Sequence, residues 1–171
     1  MTVEGCVTEM KLWTVQSEEW YKTLLAAGEI VCDASRISDV TFIPAYKWMA
    51  EQMRKRLGDH YNAAYPIWAW AVFEGKNKRP DLRGIEFRFY EYPSVLLEIE
   101  VPDEEILLSD EEEWNVVMGD IMNGEPDDNR ERIFDSSDSD GEPKRFVQAC
   151  FGRLYAKQVV STKVFGRHNL Q

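Results

Sequence analysis

Residues 65–84, YPIWAWAVFEGKNKRPDLRG, decide how the rest of the chain is read. Side chains of a strand alternate between two faces. Residues 66–73 therefore read as a strand with Trp68, Trp70 and Val72 on one face and Ile67, Ala69, Ala71 and Phe73 on the other. Both faces are apolar, which makes the strand central and covered on both sides. A buried indole N–H wants an acceptor, so two indoles on one face imply a polar neighbour inside the core or the wall of a pocket. After Glu74 and Gly75 the character reverses. Lys76, Lys78, Arg79 and Arg83 are opposed locally only by Asp81, in a chain of formal net charge −11. Pro80 fixes part of this loop. Guanidinium forks match phosphate or carboxylate and stack on flat groups, so a basic loop beside aromatic residues suits a flat anionic ligand. The alternative is that these cations pair with the chain's own abundant Asp and Glu.

Outward from this stretch the apolar spacing alternates between strand and helix periods. Residues 85–90 set Ile85, Phe87 and Phe89 against Glu86, Arg88 and Tyr90, the pattern of a half-exposed strand. Tyr92-Pro93 marks a turn. Residues 95–101 predict a strand with Leu97, Ile99 and Val101 inward and Glu98 and Glu100 outward, and residues 105–108 a shorter one. On the other side, Pro44 suits the first turn of a helix. Tyr46, Met49, Ala50, Met53 and Leu57 follow at helical spacing, Arg54, Lys55 and Arg56 load the last turn, and Gly58 ends it. Further out, residues 11–16 alternate as a strand. Ser17 caps the helix that follows, with Glu18 and Glu19 in its first turn and Gly28 at its end. Residues 29–33 read as a short strand, 33–43 as irregular, and 1–10 as a loose lead-in.

Toward the C-terminus, Ser109 and Glu112 form an S-x-x-E capping box. It opens a helix whose apolar stripe is Trp114, Val117, Met118 and Ile121 and whose end is Gly124. The acidic run 110–113 is helix-start chemistry rather than a metal site. Residues 129–134 read as one helical turn. Residues 135–143 (DSSDSDGEP) read as a mobile acidic surface loop without the spaced ligands of a calcium loop. Residues 145–151 and 157–165 are two late strands. With helices mainly early, strands mainly late and no βαβ alternation, the fold class is α+β. The chain reads as a single domain over residues 1–171, with a mixed or antiparallel central sheet and about three helices.

Aromatics make up 12% of the residues and include six Trp, which favours a packed core over disorder. No apolar run is long enough to cross a bilayer, and the N-terminus lacks a basic-then-apolar leader layout, so a cytoplasmic location is expected. Cys6, Cys32 and Cys150 form no C-x-x-C pair. Only His60 and His168 are present, which excludes a His-rich metal centre but not a carboxylate site for a hard cation, and the residues leave any cofactor open. The acidic balance argues against a broad duplex nucleic-acid face, though not against a small nucleotide at one basic loop. Phosphate-loop, dinucleotide, nucleophile-elbow and zincin motifs are absent. Cys150, between apolar neighbours in RFVQACF, reads as a small buried hydrophobe. Gln148, in the same strand, must satisfy its amide or face a cavity.

Several segments together, KLWTVQSEEWYKTLLAAGEI, FIPAYKWMAEQMRKRLG, YPIWAWAVFEGKNKRPDLR, VLLEIEVPDEEILLSDEEEW and QACFGRLYAKQVVSTKVF, resemble a bacterial family of unknown function, number 3841 among such families. The resemblance spans about residues 11–165 and brings no established activity. A second resemblance is to the ADP-ribosyltransferase-like fold. Its opening strand carries a nucleotide-contacting polar residue before a Gly-ended helix, and a late strand bears a catalytic Glu. KLWTVQ with SEEWYKTLLAAG is similar to that opening, and RFVQACF with KQVVSTKVF to that ending. Here Thr14 stands where such enzymes often carry His or Arg, and Gln148 stands where they carry Glu. Gln cannot ionise, so this resemblance implies a binder rather than an active transferase, or an acid placed elsewhere. Two functions follow as expectations. In the first, Trp68 and Trp70 line a site for a nucleotide-like or other phosphate-bearing ligand. Lys76, Lys78, Arg79 and Arg83 hold its anion, and Thr14, Gln16, Tyr46 and Gln148 add polar contacts. In the second, the chain is a non-catalytic interaction or inhibitor domain whose acidic surface and loop 135–143 meet a basic protein partner.

Overall fold

The Trp-rich strand pairs with one early strand and one late strand rather than with the strand that follows it in the chain. The computed structural model describes residues 6–166, and its elements in chain order are β1 (Glu9–Ser17), α1 (Glu18–Ala27), β2 (Glu29–Val31), α2 (Ile43–Leu57), β3 (Ile67–Val72), β4 (Ser94–Pro102), β5 (Leu107–Asp110), α3 (Glu111–Asn123), β6 (Val147–Phe151), β7 (Arg153–Tyr155) and β8 (Val159–Phe165). The main sheet has the order β5-β6-β3-β1-β4-β8, and β2 pairs with β7 in a small ribbon. Every pairing is antiparallel. The architecture is one α+β domain with a six-stranded antiparallel sheet and three helices.

Two cores lie on opposite faces of the sheet. Leu12, Ile67, Ala69, Val95, Leu97, Ile99 and Phe151 gather with Leu24 of α1 in one, and Met49 and Met53 of α2 gather with Trp114 and Val117 of α3 and Cys150 in the other. Trp68, half-buried, packs against the second. The helices end where the sequence ends them. Gly28 and Gly124 adopt left-handed φ values of 80° and 69°, the conformation glycine permits without strain. Ser17 accepts the N–H of Trp20 at 3.1 Å, and Lys55 and Arg56 of the basic last turn reach Glu131.

Several sequence expectations are corrected. Residues 85–90 form no strand: Ile85–Phe87 is a 3-10 turn in which only Phe87 is buried, and Phe89 is 85% exposed. Both edges of the neighbouring β4 are already taken by β1 and β8, so nothing remains for this segment to pair with. The capping box also fails. Ser109 belongs to β5 and its hydroxyl is occupied by Gln148; Asp110 is the N-cap instead, accepting the N–H of Glu113 at 2.9 Å. The short strand expected at 105–108 is displaced to Leu107–Asp110, the late strands begin at Val147 and Val159, and β7 between them went unread. β1 starts at Glu9, inside the expected lead-in. The earliest part of that lead-in, residues 1–5, and His168 lie outside the described residues.

The Trp-rich strand is central, between β6 and β1, but it is joined to its two neighbours unequally. β1 and β4 share nine register pairs, whereas β1 and β3 share one, Trp13 with Trp70. Side chains hold the rest of that seam. Beyond the tight Glu74-Gly75 turn, Asn77 Nδ2 donates to Lys11 O at 2.8 Å and to Ala71 O at 2.7 Å, bridging β1 to β3. On the other side of the single pair, Thr14 Oγ1 donates to Trp68 O at 2.6 Å and accepts from Gln16 Nε2 at 3.0 Å. The sheet is therefore parted along β1–β3, and side-chain hydrogen bonds close what ladder bonds do not.

Candidate functional site

The parted seam opens into a cleft. Cross-strand register sets one row of residues side by side across it: Glu98 on β4, Trp13 on β1, Trp70 on β3, Gln148 on β6 and Ser109 on β5. Opposed residues of an antiparallel pair project from the same face, so the row is continuous. Its polar members are interlocked. Trp13 Nε1 donates to Glu98 Oε2 at 3.3 Å, and Lys11 sits 3.2 Å from the same carboxylate. Gln148, 7% exposed, donates from Nε2 to Ser109 Oγ at 3.0 Å. Its Oε1 carries no hydrogen bond within the described residues and is available to a ligand donor.

The cleft has two lobes that share Gln16, Ser38, Tyr46 and Trp68. The larger, about 440 Å³, is walled by Trp13, Trp70 and Tyr90 and also bordered by Thr14, Glu111 and Gln148. The smaller, about 190 Å³, adds Trp20, Cys32 and Phe42 and has Arg36 at its border. Tyr46 stands between them with its ring 5.4 Å from that of Trp68 and 5.9 Å from that of Phe42, and burial pushes its phenol above the usual range. Trp68 stacks on Trp114 at 5.1 Å. Its Nε1 is buried without a hydrogen-bond partner among the described residues, whereas the indole of Trp13 donates to Glu98. Aromatic walls, the uncharged polar side chains of Thr14, Gln16, Ser38 and Gln148, and one charge in each lobe, Glu111 and Arg36, can hold a flat, polar small molecule.

Six of the sequence-predicted site residues, Thr14, Gln16, Tyr46, Trp68, Trp70 and Gln148, border this one cleft. The four cations of the loop do not. Lys78 pairs with Glu74 at 2.7 Å. Arg83 pairs with Asp81 at 2.7 Å, and its hydrogen bonds hold that carboxyl well below the usual carboxylate range. Lys76 and Arg79 make no ion pair among the described residues. Arg79 and Arg83 line a separate hollow of about 360 Å³ with Lys163, and it shares no residue with the cleft. The loop leaves the far end of β3, so proximity in sequence to Trp70 does not bring it to the face that Trp70 presents.

Sequence reasoning passed over Trp13, Ser38, Tyr90 and Glu111. Trp13 was visible in the alternation of KLWTVQ. Glu111 was hidden by its place in an acidic helix start. Its backbone N–H bonds to Phe146 O at 3.0 Å, its carboxylate accepts from Asn115 Nδ2 at 2.8 Å, and burial raises its proton affinity above that of an ordinary Glu. Among the described residues no three His, Cys, Asp or Glu side chains gather as a metal site, and no helix is long and apolar enough to cross a membrane.

The fold and cleft define an α+β domain with a split antiparallel sheet and an aromatic, largely uncharged pocket at the split. The chain belongs to the family described as domain of unknown function DUF3841, whose model matches residues 11–157. That span runs from within β1 to just past β7 and takes in every residue of the cleft. No curated protein and no solved structure matches the chain.

Proposed function

We propose that this is a cytosolic domain that binds a nucleotide-like small ligand in the β1–β3 cleft, with a fold of the ADP-ribosyltransferase-like kind. One observation carries the reading. Thr14 and Gln148, the two positions that the likeness to that fold singles out, are more than a hundred positions apart in the chain yet border the same lobe beside Trp68 and Trp70. A ring of the ligand stacks in the aromatic lobe. Hydroxyls or amides of the ligand meet Gln16, Thr14 and the open Oε1 of Gln148, and its anionic group lies toward Arg36 in the smaller lobe. The basic loop plays no part at this site. Because an amide cannot ionise, Gln148 orients a bound ribose-like group without the charge a carboxylate would give to an oxocarbenium-like transition state. Binding is therefore the function proposed.

A thermal-shift panel of nucleotides, dinucleotides and sugar phosphates tests it on the wild type, Gln148→Ala and Arg79→Ala. A ligand at a hundred times its dissociation constant stabilises the fold by about 2.7 kcal/mol, roughly 5–10 °C for a chain of this length. The expected result is a shift lost in Gln148→Ala and kept in Arg79→Ala. The converse loss would move the site to the Arg79–Lys163 hollow. Silence across the panel would leave the interaction domain with an acidic surface as the better account.

A further inference from the structure

We propose that Glu111, set among the aromatic walls of the larger lobe, makes the cleft selective for a ligand whose planar part is positively charged. This rests on the cleft being the ligand site and adds which ligand chemistry it prefers. Among the described residues Glu111 is the one charged side chain bordering the larger lobe. It is half-buried, and Asn115, one helical turn on, donates 2.8 Å to its Oε1 and so fixes the carboxylate's orientation. Asn115 is neutral, and no Lys or Arg pairs with Glu111 among the described residues. Three like charges bear on it: Glu112 and Asp110 beside it in the chain, and Glu86 on the 3-10 turn. Asp110 already has its own cation, Lys144 at 2.9 Å, itself nearly buried.

A carboxylate with part of its hydration removed and like charges around it sits in a negative potential that an incoming cation relieves. The rings that share its lobe, Trp13, Trp68, Trp70, Tyr46 and Tyr90, present negative π faces. A planar cation gains from both at once, and a neutral ring of the same shape gains from stacking alone. Arg36, in the other lobe, leaves the opposite end fit for an anionic group, so the cleft is polarised along its length.

The oxidised and reduced forms of nicotinamide adenine dinucleotide serve as a matched probe pair, because the ring charge is what separates them. Calorimetric titration compares the wild type, Glu111→Gln and Glu112→Gln. The last removes an equal charge from the exposed neighbouring position and controls for the general field. The oxidised form is expected to bind about tenfold more tightly than the reduced form in the wild type and in Glu112→Gln, and within about twofold of it in Glu111→Gln. Asn115→Ala, which frees the carboxylate without removing it, gives an intermediate ratio. Equal affinity for the two forms in the wild type, an unchanged ratio in Glu111→Gln, or an equal loss in Glu112→Gln overturns the inference while leaving the cleft as a binding site. If neither form binds while other nucleotides do, the charge preference is overturned; if nothing binds, it falls together with the site.

Discussion

Replacing Asn77 by Ala tests the idea that side chains close the β1–β3 seam. The amide makes two hydrogen bonds, to Lys11 O at 2.8 Å and to Ala71 O at 2.7 Å, on strands that share only one register pair. Each bond contributes about 1 kcal/mol net. Water can reach the exposed Lys11 carbonyl, but the partly buried Ala71 carbonyl is less readily compensated. The loss should therefore be about 2 kcal/mol, a fall of roughly 4–8 °C in Tm for a chain of 171 residues. Urea unfolding followed by tryptophan fluorescence reads it directly, since Trp13 and Trp70 form the remaining pair at the seam. Asn77→Asp is the sharper control. It keeps the size but cannot donate, and it sets a carboxylate against two carbonyl oxygens, so it should lose more than Ala does. If Asn77→Ala matches the wild type within error, the clamp contributes nothing and the seam is held some other way.

Three further outcomes follow from other parts of the molecule. Burial raises the carboxyl pKa of Glu111 above its unfolded value, so its contribution to stability is full below the unfolded carboxylate range and is lost as pH rises through the folded pKa. Glu111→Gln, which stays uncharged, should thus be more stable than the wild type at neutral pH and equal to it at acid pH, as read by Tm across a pH series. Gly152 lies where an added Cβ would sit 3.0 Å from Tyr61 Cδ2, a ring that is 4% exposed. Gly152→Ala should cost about 1–3 kcal/mol in urea unfolding. Thiol reagents should modify exposed Cys6 quickly, Cys32 slowly because burial raises its pKa, and fully buried Cys150 only on unfolding, which peptide mass mapping resolves.

Local chemistry explains which parts were legible in the sequence. Gly28 and Gly124 end helices because the left-handed turn is a property of one residue, and Trp68 and Trp70 fall on one face because strand alternation is local too. The pairing of β1 with β3 is not local. Nothing in KLWTVQ says that Trp13 meets Trp70 once and that the strands then part, and that parting is what makes the cleft. The strand context of Gln148 leaves a bonded amide and a cavity wall as its two options, and in the fold it donates to Ser109, a residue whose spacing to Glu112 looks like a helix cap, while bordering the cleft. The basic loop misled for a similar reason. Its nearness to Trp70 along the chain is not nearness in space, because the Glu74-Gly75 turn carries Arg79 and Arg83 away to a hollow shared with Lys163 on β8. Phe89 fits an alternating pattern by spacing alone, and spacing cannot register that no free strand edge is left to receive it.

The indole N–H resonances of the protein test the central claim most directly, because the six tryptophans sample both the cleft and its surroundings. Titrating nitrogen-15-labelled protein with oxidised nicotinamide adenine dinucleotide should move the resonances of Trp13, Trp68 and Trp70 and leave that of Trp48, which lies behind Trp114, nearly still. The same titration on Arg79→Ala should give the same pattern. Shifts confined to backbone amides of residues 76–83, or a cleft pattern that disappears with Arg79, would contradict the account and place the ligand at the basic loop.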